Sequence, residues 1–586
     1  MLAYGFGLSG NRMSKSKPKQ TDPKKTGGPA QVAAPLTSKP AIFTIGRPML
    51  WLALAALVVY LPSLFFDYTE LDDTIFIRDF QAYNEHLHNI VTAFQRGLFD
   101  AVKDPYYRPL FSDAMIINYH FSGLENAWGY HLVNILLHVS AVVLLFKLFR
   151  KLEVKELHAF ILTMIFAVHP VLSQAVAWIP GRNDTMLAIF VFSFLISAVT
   201  YSNSGKIKSL LLSGLFLLLA YFTKETAVFA APVAFLVLTF VLNKKPTERN
   251  SLMQYAVWAI CFGIWYAARA MATTTSVGMT SAHALNETLR RLPIIIQYIG
   301  KIFLPFNLSV FPIQEDTVYY YGIAAIALLT AIIILNKQRN TKIILSGIAI
   351  FLLFLMPALL VPSNLNQQTF EHRLYLPIIG ILLLLPQTVL FNNKLADKQL
   401  FVYSAAVCLL LAALNFYHQP SFASPRMFWT SAVETSPHSA FADMMLAARL
   451  DKDEAAKSEA LFRKAYSINP REKYLNFYMA EMLQNTNNKD SVAASEKYLL
   501  VEKQVSDYFK CDFLLARVHM GRNDFIGAAD CLQAYLKRDP TNPMANNNLL
   551  LLYMQTQQAD KAKALAKHMQ QLGLAVPAGI LKQLGV

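Results

Sequence analysis

Residues 158–201 read HAFILTMIFAVHPVLSQAVAWIPGRNDTMLAIFVFSFLISAVTY. Two apolar runs, 158–176 and 185–201, each approach the roughly 20 residues that cross a hydrocarbon layer as a helix. A short polar turn, Gly181-Arg182-Asn183-Asp184, separates them. Backbone polar groups have no water to meet inside a bilayer, so a helical hairpin is the structure such a pair permits. Outward from this hairpin the pattern recurs at 49–66, 131–147, 209–222, 226–242, 251–268, 318–335, 343–361, 374–391 and 399–416, making eleven spans. The expectation is an all-α chain whose region 48–418 is a polytopic helical membrane domain.

The composition agrees. Hydrophobic residues make up 54% and charged residues 16% of the 586, and mean hydropathy is +0.34. A water-soluble enzyme is excluded by these values. The net charge of +15 does not imply nucleic acid, because no basic stretch carries interleaved stacking aromatics. It follows the orientation rule instead. The loops 147–157, 202–208, 243–250, 336–342 and 392–398 hold 14 Lys/Arg in 40 residues, whereas 67–130, 177–184, 223–225, 269–317 and 362–373 hold 11 in 136. The first set is expected to be cytoplasmic. Residues 1–47, basic and without an apolar core, read as a disordered cytoplasmic tail. Eleven crossings then put everything after 418 on the opposite side. In the 269–317 loop, Leu289 to Phe306 reads as an interfacial amphipathic helix. Of four cysteines, Cys511 and Cys531 could meet in an oxidising compartment; no CxxC occurs.

Every polar cluster with chemical potential falls on the non-cytoplasmic side of this count. Asp72-Asp73 follows the first span, where a carboxylate can act as general base toward a hydroxyl. Neighbouring residues point in different directions, so one of the two would face the reacting atoms, and the other would orient it or hold a cation. A solvated acidic loop or a helix cap is the plainer reading. Tyr106-Tyr107-Arg108-Pro109-Leu110 offers a guanidinium fork to phosphate or carboxylate, or is an interfacial aromatic belt. His131, Asn134 and His138 share one face of the second span and suit interhelical hydrogen bonding. His169-Pro170 and Arg182-Asn183-Asp184 flank one outer turn, and Lys224-Glu225 fills the next. That turn is so short that both charges must lie at membrane depth, where an unpaired charge costs several kcal/mol. Pairing with each other or with Asp184 is one outcome; binding a phosphate at headgroup level is the other. Glu371-His372-Arg373 opens the tenth span. Arg182, Lys224 and Arg373 thus arrive at one height from different hairpins, which suggests an anionic lipid headgroup.

After a linker at 419–436, residues 437–586 change to soluble amphipathic helices. Asn469-Pro470 and Asp539-Pro540 close two helical pairs 70 residues apart, about two periods of the 34-residue tetratricopeptide repeat. Phe462 and Ala465, Ala480 and Ala494, Leu515, Ala516, Ala528 and Leu532, then Tyr553 and Ala562 take the repeat's apolar and small positions. About four units are expected, ending near 570, with 571–586 as a cap. Such an α-solenoid presents a concave surface to peptides or partner proteins.

Together, the acidic pair, YRPL, the HxxN of the second span, HPV…GRND, KE, EHRLYLP and the trailing repeats resemble the transmembrane O-mannosyltransferases with tetratricopeptide repeats and their bacterial relatives. These belong to the GT-C class of membrane glycosyltransferases. The resemblance spans about 50–570, and rests on the order and common sidedness of the motifs. It implies a polyprenyl-phosphate-linked sugar donor, mannose by default, and inverting transfer to a hydroxyl on a protein Ser/Thr or a glycan, at the periplasmic or lumenal face. It implies an inner-membrane protein of bacteria, or an ER protein if eukaryotic. Carried over, Asp72 or Asp73 would be the base. Arg182, Lys224 and Arg373 would hold the donor phosphate. Arg108, His169, Asp184, Glu225, Glu371 and His372 would support them. No metal site is expected, though a divalent cation is compatible. A non-catalytic membrane scaffold and a lipid-linked sugar transporter are the competing functions. The first has no need of an acid pair facing three cations; the second would carry charge nearer mid-membrane.

Overall fold

The computed structural model describes residues 45–99, 105–273, 286, 288–360, 368–392, 395–486 and 488–585. The basic tail lies outside these residues apart from 45–47. Among the described residues the chain is helical throughout, with a lone antiparallel bridge between Ile313 and Gln368.

All eleven expected spans are helices. They are α1 (Pro48–Tyr60), α3 (Ala127–Lys151), α4 (Glu156–Val168), α6 (Arg182–Ser204), α7 (Ile207–Thr223), α8 (Ala230–Leu236), α9 (Arg249–Ala272), α11 (Tyr320–Ile334), α12 (Thr341–Leu360), α13 (Ile378–Leu384) and α14 (Asp397–His418). Among the described residues, six helical segments are long and apolar enough to cross a membrane: 48–65, 127–151, 179–204, 249–272, 341–360 and 397–422. A seventh is the pair Glu156–Val168 and Pro170–Ala177, bent by 52° where His169-Pro170 interrupts the helix. Proline removes a backbone donor and clashes with the preceding turn, so the bend falls at that dipeptide. The other four are short.

Close helix contact is achieved with small residues, as in membrane interiors. Gly347 of α12 and Gly380 of α13 pack backbone to backbone. A Cβ on Gly380 would lie 2.3 Å from the Gly347 carbonyl oxygen, so neither position admits a side chain without separation of the helices. This contact fixes the start of α13, and with it the Glu371-His372-Arg373 turn.

On the polar face of the second span, Asn134 and His138 make the interhelical bonds expected of them, and buried His131 does not. Asn134 Nδ2 donates to the carbonyls of Val176, Trp178 and Ile179. His138 meets the Tyr375 hydroxyl at 2.7 Å and the Ala167 carbonyl at 3.0 Å.

At the charged end of the helices an extra layer forms. It contains the loop 67–99, α2 (Pro109–Ser122), the bent segment α5 (Ser173–Ala177) and α10 (Ile294–Phe303). The helix expected between Leu289 and Phe306 is thus present as α10. Its face with Lys301 is buried rather than open. Residues 419–436, expected to be a linker, instead form a turn and α15 (Pro425–Thr435). Phe428 and Trp429 of α15 are fully buried in one cluster with Phe66, Trp178, Phe311 and Phe370. An eleven-residue segment with two large aromatics is anchored by that burial, worth about 2 kcal/mol per ring.

Four helical pairs follow: α16 (Ala440–Ala447) with α17 (Ala455–Ile468), α18 (Leu475–Asn485) with α19 (Lys489–Ser506), α20 (Lys510–Gly521) with α21 (Phe525–Leu536), and α22 (Pro543–Gln555) with α23 (Ala559–Gln571). A short helix, α24 (Ala578–Leu584), comes last. Each helix packs chiefly against its neighbours in sequence. Ala465, Ala480, Ala516, Ala528 and Ala562 are fully buried at the contacts, as expected. Ala494 is not: it is exposed, and the small position of that unit is taken by Ser495, whose Oγ accepts from Gln484 Nε2 at 2.9 Å. The four cysteines are free thiols; Cys511 and Cys531 share an apolar cluster without a bridge.

Candidate active site

One large cavity, about 1040 Å³, opens at the charged end of the helices. Five of the polar clusters reach it; His169-Pro170 and the His131, Asn134 and His138 face do not. Its walls include Asp72, Arg108, Asp184, Lys224, Glu225, His372 and Arg373. Apolar side chains of α12 and the 225–229 turn, Phe354, Pro357 and Phe229 among them, line one flank. Residues of the first helical pairs, including His438, Phe441 and Lys473, line another.

The acidic pair divides into unlike halves. Asp73 caps the helical turn that follows it. Its carboxylate accepts from Thr69 N at 2.5 Å, Thr69 Oγ1 at 2.9 Å, Leu71 N at 2.9 Å and Thr74 N at 3.1 Å. Its side chain is 1% exposed and does not line the cavity. Asp72, one residue earlier, points into the cavity and has no hydrogen-bond partner among the described residues. Burial and the adjacent Asp73 carboxylate push the Asp72 carboxyl up to about 6, against the pull of Arg108.

The cations also divide. Lys224 Nζ grips both oxygens of Asp184 at 2.7 and 2.8 Å. Arg108 pairs with Glu225 Oε2 at 2.9 Å through both Nε and Nη2, and Glu225 Oε1 accepts from Tyr107 N at 3.1 Å. Both cations are thus neutralised within the wall: Lys224 takes Asp184, as the pairing alternative had it, whereas Glu225 takes Arg108 in place of Lys224. Arg373 is different. Its Nη1 donates to the Gln368 carbonyl at 2.9 Å and its guanidinium lies 5.7 Å from the Phe370 ring centroid, with no carboxylate partner among the described residues. Arg269, at the end of α9, resembles it. Its Nη2 donates to the Pro105 carbonyl at 2.9 Å, and its buried Nε has no partner among the described residues. Arg269 also lines the cavity. It belongs to no motif and was missed in the sequence; the signal was a lone arginine at the charged end of an apolar span.

Arg182 does not reach the cavity. The guanidinium is fully buried between α2, α3 and α6. Its Nε donates to Asn134 Oδ1 at 2.8 Å, Nη1 to the Ala114 carbonyl at 3.2 Å, and Nη2 to Asn118 Oδ1 at 2.7 Å and the Tyr130 carbonyl at 2.9 Å. With its donors engaged, Arg182 ties three helices together instead of facing a ligand.

His169 is likewise behind the wall. Its Nε2 meets the Ile302 carbonyl at 2.8 Å and its Nδ1 accepts from Val171 N at 3.2 Å. Glu371 is wholly buried. It accepts from Lys301 Nζ at 2.6 Å and Ser309 N at 2.8 Å. His372 faces the cavity, with its ring Nδ1 against Gln174 Oε1 at 3.1 Å. Burial, together with the cations Lys224, Arg373 and Arg108, holds its ring well below the usual imidazole range, so it is neutral near pH 7. Among the described residues, no three His, Cys, Asp or Glu side chains converge to hold a metal ion.

The arrangement joins a free carboxylate, two arginines with spare donors, an apolar flank and a polar flank. Such a lining can hold an anion beside an apolar group and leaves a carboxylate able to accept a proton. The profile of the dolichyl-phosphate-mannose-protein mannosyltransferase family matches residues 115–270, from α2 to the end of α9. Protein O-mannosyl-transferase TMTC2 of Homo sapiens is 42% identical over 96 residues, 16% of this chain and 11% of that protein. TMTC4 of Mus musculus is 34% identical over 113 residues, 17% and 15% respectively. TMTC1 of Homo sapiens is 23% identical over 444 residues, 64% of this chain and 49% of that protein. In these matches the chain spans at most about half the length of the relatives. The matches support the resemblance read from the sequence, to a GT-C O-mannosyltransferase-like family.

Proposed function

We propose that this chain is a membrane glycosyltransferase that moves a mannosyl group from a polyprenyl phosphate to a hydroxyl on a protein Ser/Thr or a glycan. The observation that carries the reading is that Asp72, which has no hydrogen-bond partner among the described residues, shares one cavity with Arg373 and Arg269, the cavity-lining arginines that have no carboxylate partner among the described residues. The names of the relatives supply mannose and a protein acceptor as the first substrates to try.

In the step we infer, the acceptor hydroxyl gives its proton to the Asp72 carboxylate. Its oxygen attacks the anomeric carbon, and the bond from that carbon to the phosphate oxygen breaks. The electron pair leaves with the lipid monophosphate, and the configuration inverts. Arg373 and Arg269 stabilise the charge that builds on the leaving group, the electrostatic contribution such a reaction needs. Lys224 and Arg108 act as a paired frame for Asp184 and Glu225, and Asp73 and Arg182 position the base and the helices. The polyprenyl chain would lie along Phe229, Phe354 and Pro357. The cavity would face the periplasm or lumen, by the charge bias of the loops. We read the helical pairs after 437 as tetratricopeptide repeats that present the acceptor.

The test is incubation of purified protein with polyprenyl-phosphate mannose and a Ser/Thr peptide, with product followed by mass. Transfer by the parent chain that disappears in Asp72→Asn supports the reading. Full transfer by Asp72→Asn would remove it.

A further inference from the structure

The loop bearing Asp72 is held from the far end of the chain. Glu70, two residues before Asp72, adopts a left-handed backbone with φ 56°. A non-glycine residue is strained there and persists where surroundings fix it. Glu70 Oε1 accepts from Arg78 Nη1 at 2.9 Å. Its Oε2 accepts from Arg449 Nε at 3.0 Å, and its carbonyl from Arg449 Nη2 at 3.4 Å. Arg449 follows α16, in the first helical pair after the membrane region. It is fixed in turn. Its Nη1 donates to the Met445 carbonyl at 2.8 Å, and its guanidinium lies 5.6 Å from the ring centroid of buried Trp429. Leu71 packs on the same cluster as Trp429, and Asp67 N donates to the Ala423 carbonyl at 3.0 Å. Arg449 itself does not line the cavity.

We propose that Arg449 is a positioning residue, which through Glu70 holds the Asp72 loop in its reactive place and makes the first helical pair part of the catalytic unit. The inference rests on Asp72 being the base. It implies that the C-terminal array does more than present an acceptor: without it, transfer even to a small hydroxyl compound fails, because the loop loses its outer brace.

The test is a double-mutant cycle in the full chain, with saturating polyprenyl-phosphate mannose and a small alcohol acceptor. Arg449→Met is expected to lower kcat about 10–100-fold, the usual cost of a misplaced catalytic group, with donor affinity kept within about twofold. Glu70→Gln should do the same, and Glu70→Gln/Arg449→Met should be no worse than the poorer single variant, since residues acting as one unit are not additive. Lys464→Met, which removes the 2.9 Å partner of Asp443 in the same helical pair, should lower thermal stability and leave kcat unchanged. An unchanged kcat in folded Arg449→Met, or multiplying effects in the double variant, overturns the proposal. If Arg449→Met does not fold, Arg449→Lys decides in its place: it keeps the charge but loses the fork, and an unchanged kcat there overturns the proposal equally. Asp72→Asn in the same assay separates the two failures. Transfer retained by Asp72→Asn removes the base; transfer lost in Asp72→Asn but intact in the Arg449 variants removes only the brace.

Discussion

Arg182 and Arg373 each stand at the outer start of an expected span, and in the sequence they look alike. One is fully buried with four acceptors on its guanidinium; the other faces the cavity, held by the Gln368 carbonyl and the Tyr298 hydroxyl, with no carboxylate partner among the described residues. The acidic pair repeats the contrast, with Asp73 saturated and Asp72 free. Depth in the membrane sorts charges onto one layer. What separates a structural charge from a ligand-facing one is whether its hydrogen-bonding capacity is already used.

The largest expected effect breaks or confirms the acidic half of that contrast. Asp72→Asn should lower turnover by about 10²–10⁴-fold, the usual contribution of a general base, while Asp73→Asn should act first on thermal stability, because it disrupts four hydrogen bonds. Equal turnover losses at unchanged melting temperature would erase the distinction. The cationic half comes next. Arg182→Met leaves Asn134, Asn118 and two carbonyls without their donor, and should cost about 3 kcal/mol of stability, measured by thermal unfolding in detergent. Arg373→Ala and Arg269→Ala should each weaken donor binding about tenfold or more, measured by titration with polyprenyl-phosphate mannose, with little change in unfolding. A reversal of these patterns would exchange the roles.

The smallest effect is in pH. With its carboxyl near 6, Asp72 accepts a proton only when ionised, so turnover should rise as pH is raised through about 6 and then level. The same shift acts on stability. A carboxyl raised from 3.8 favours the fold fully below 3.8 and loses that contribution as pH rises through 6. Asp72→Asn should therefore unfold at a higher temperature than the parent at pH 7.5. A pH-independent turnover between 5 and 7 would detach Asp72 from the proton transfer.

The sequence made the helices legible because membrane spans have a length and composition that few other structures share. It also made the charged layer legible, because its motifs lie in turns between spans. Partners were not legible, since they depend on side-chain reach across helices distant in sequence: Lys224 takes Asp184 and Glu225 takes Arg108, and no spacing rule encodes that. Arg269 escaped notice because it stands alone just past an expected span, without a motif around it. Residues 425–435 were read as linker because eleven residues with two aromatics have no clear period. The buried Lys301–Glu371 pair was hidden for a related reason: Lys301 occupies the polar face of what reads as a surface helix.

The most direct measurement is a structure of the Asp72→Asn chain in a lipid nanodisc with polyprenyl-phosphate mannose bound. The account predicts the phosphate within hydrogen-bond distance of Arg373 and Arg269, the sugar directed to position 72, and Arg182 still bonded to Asn134 and Asn118. A phosphate seated on Arg182, or bound outside the cavity, would contradict it.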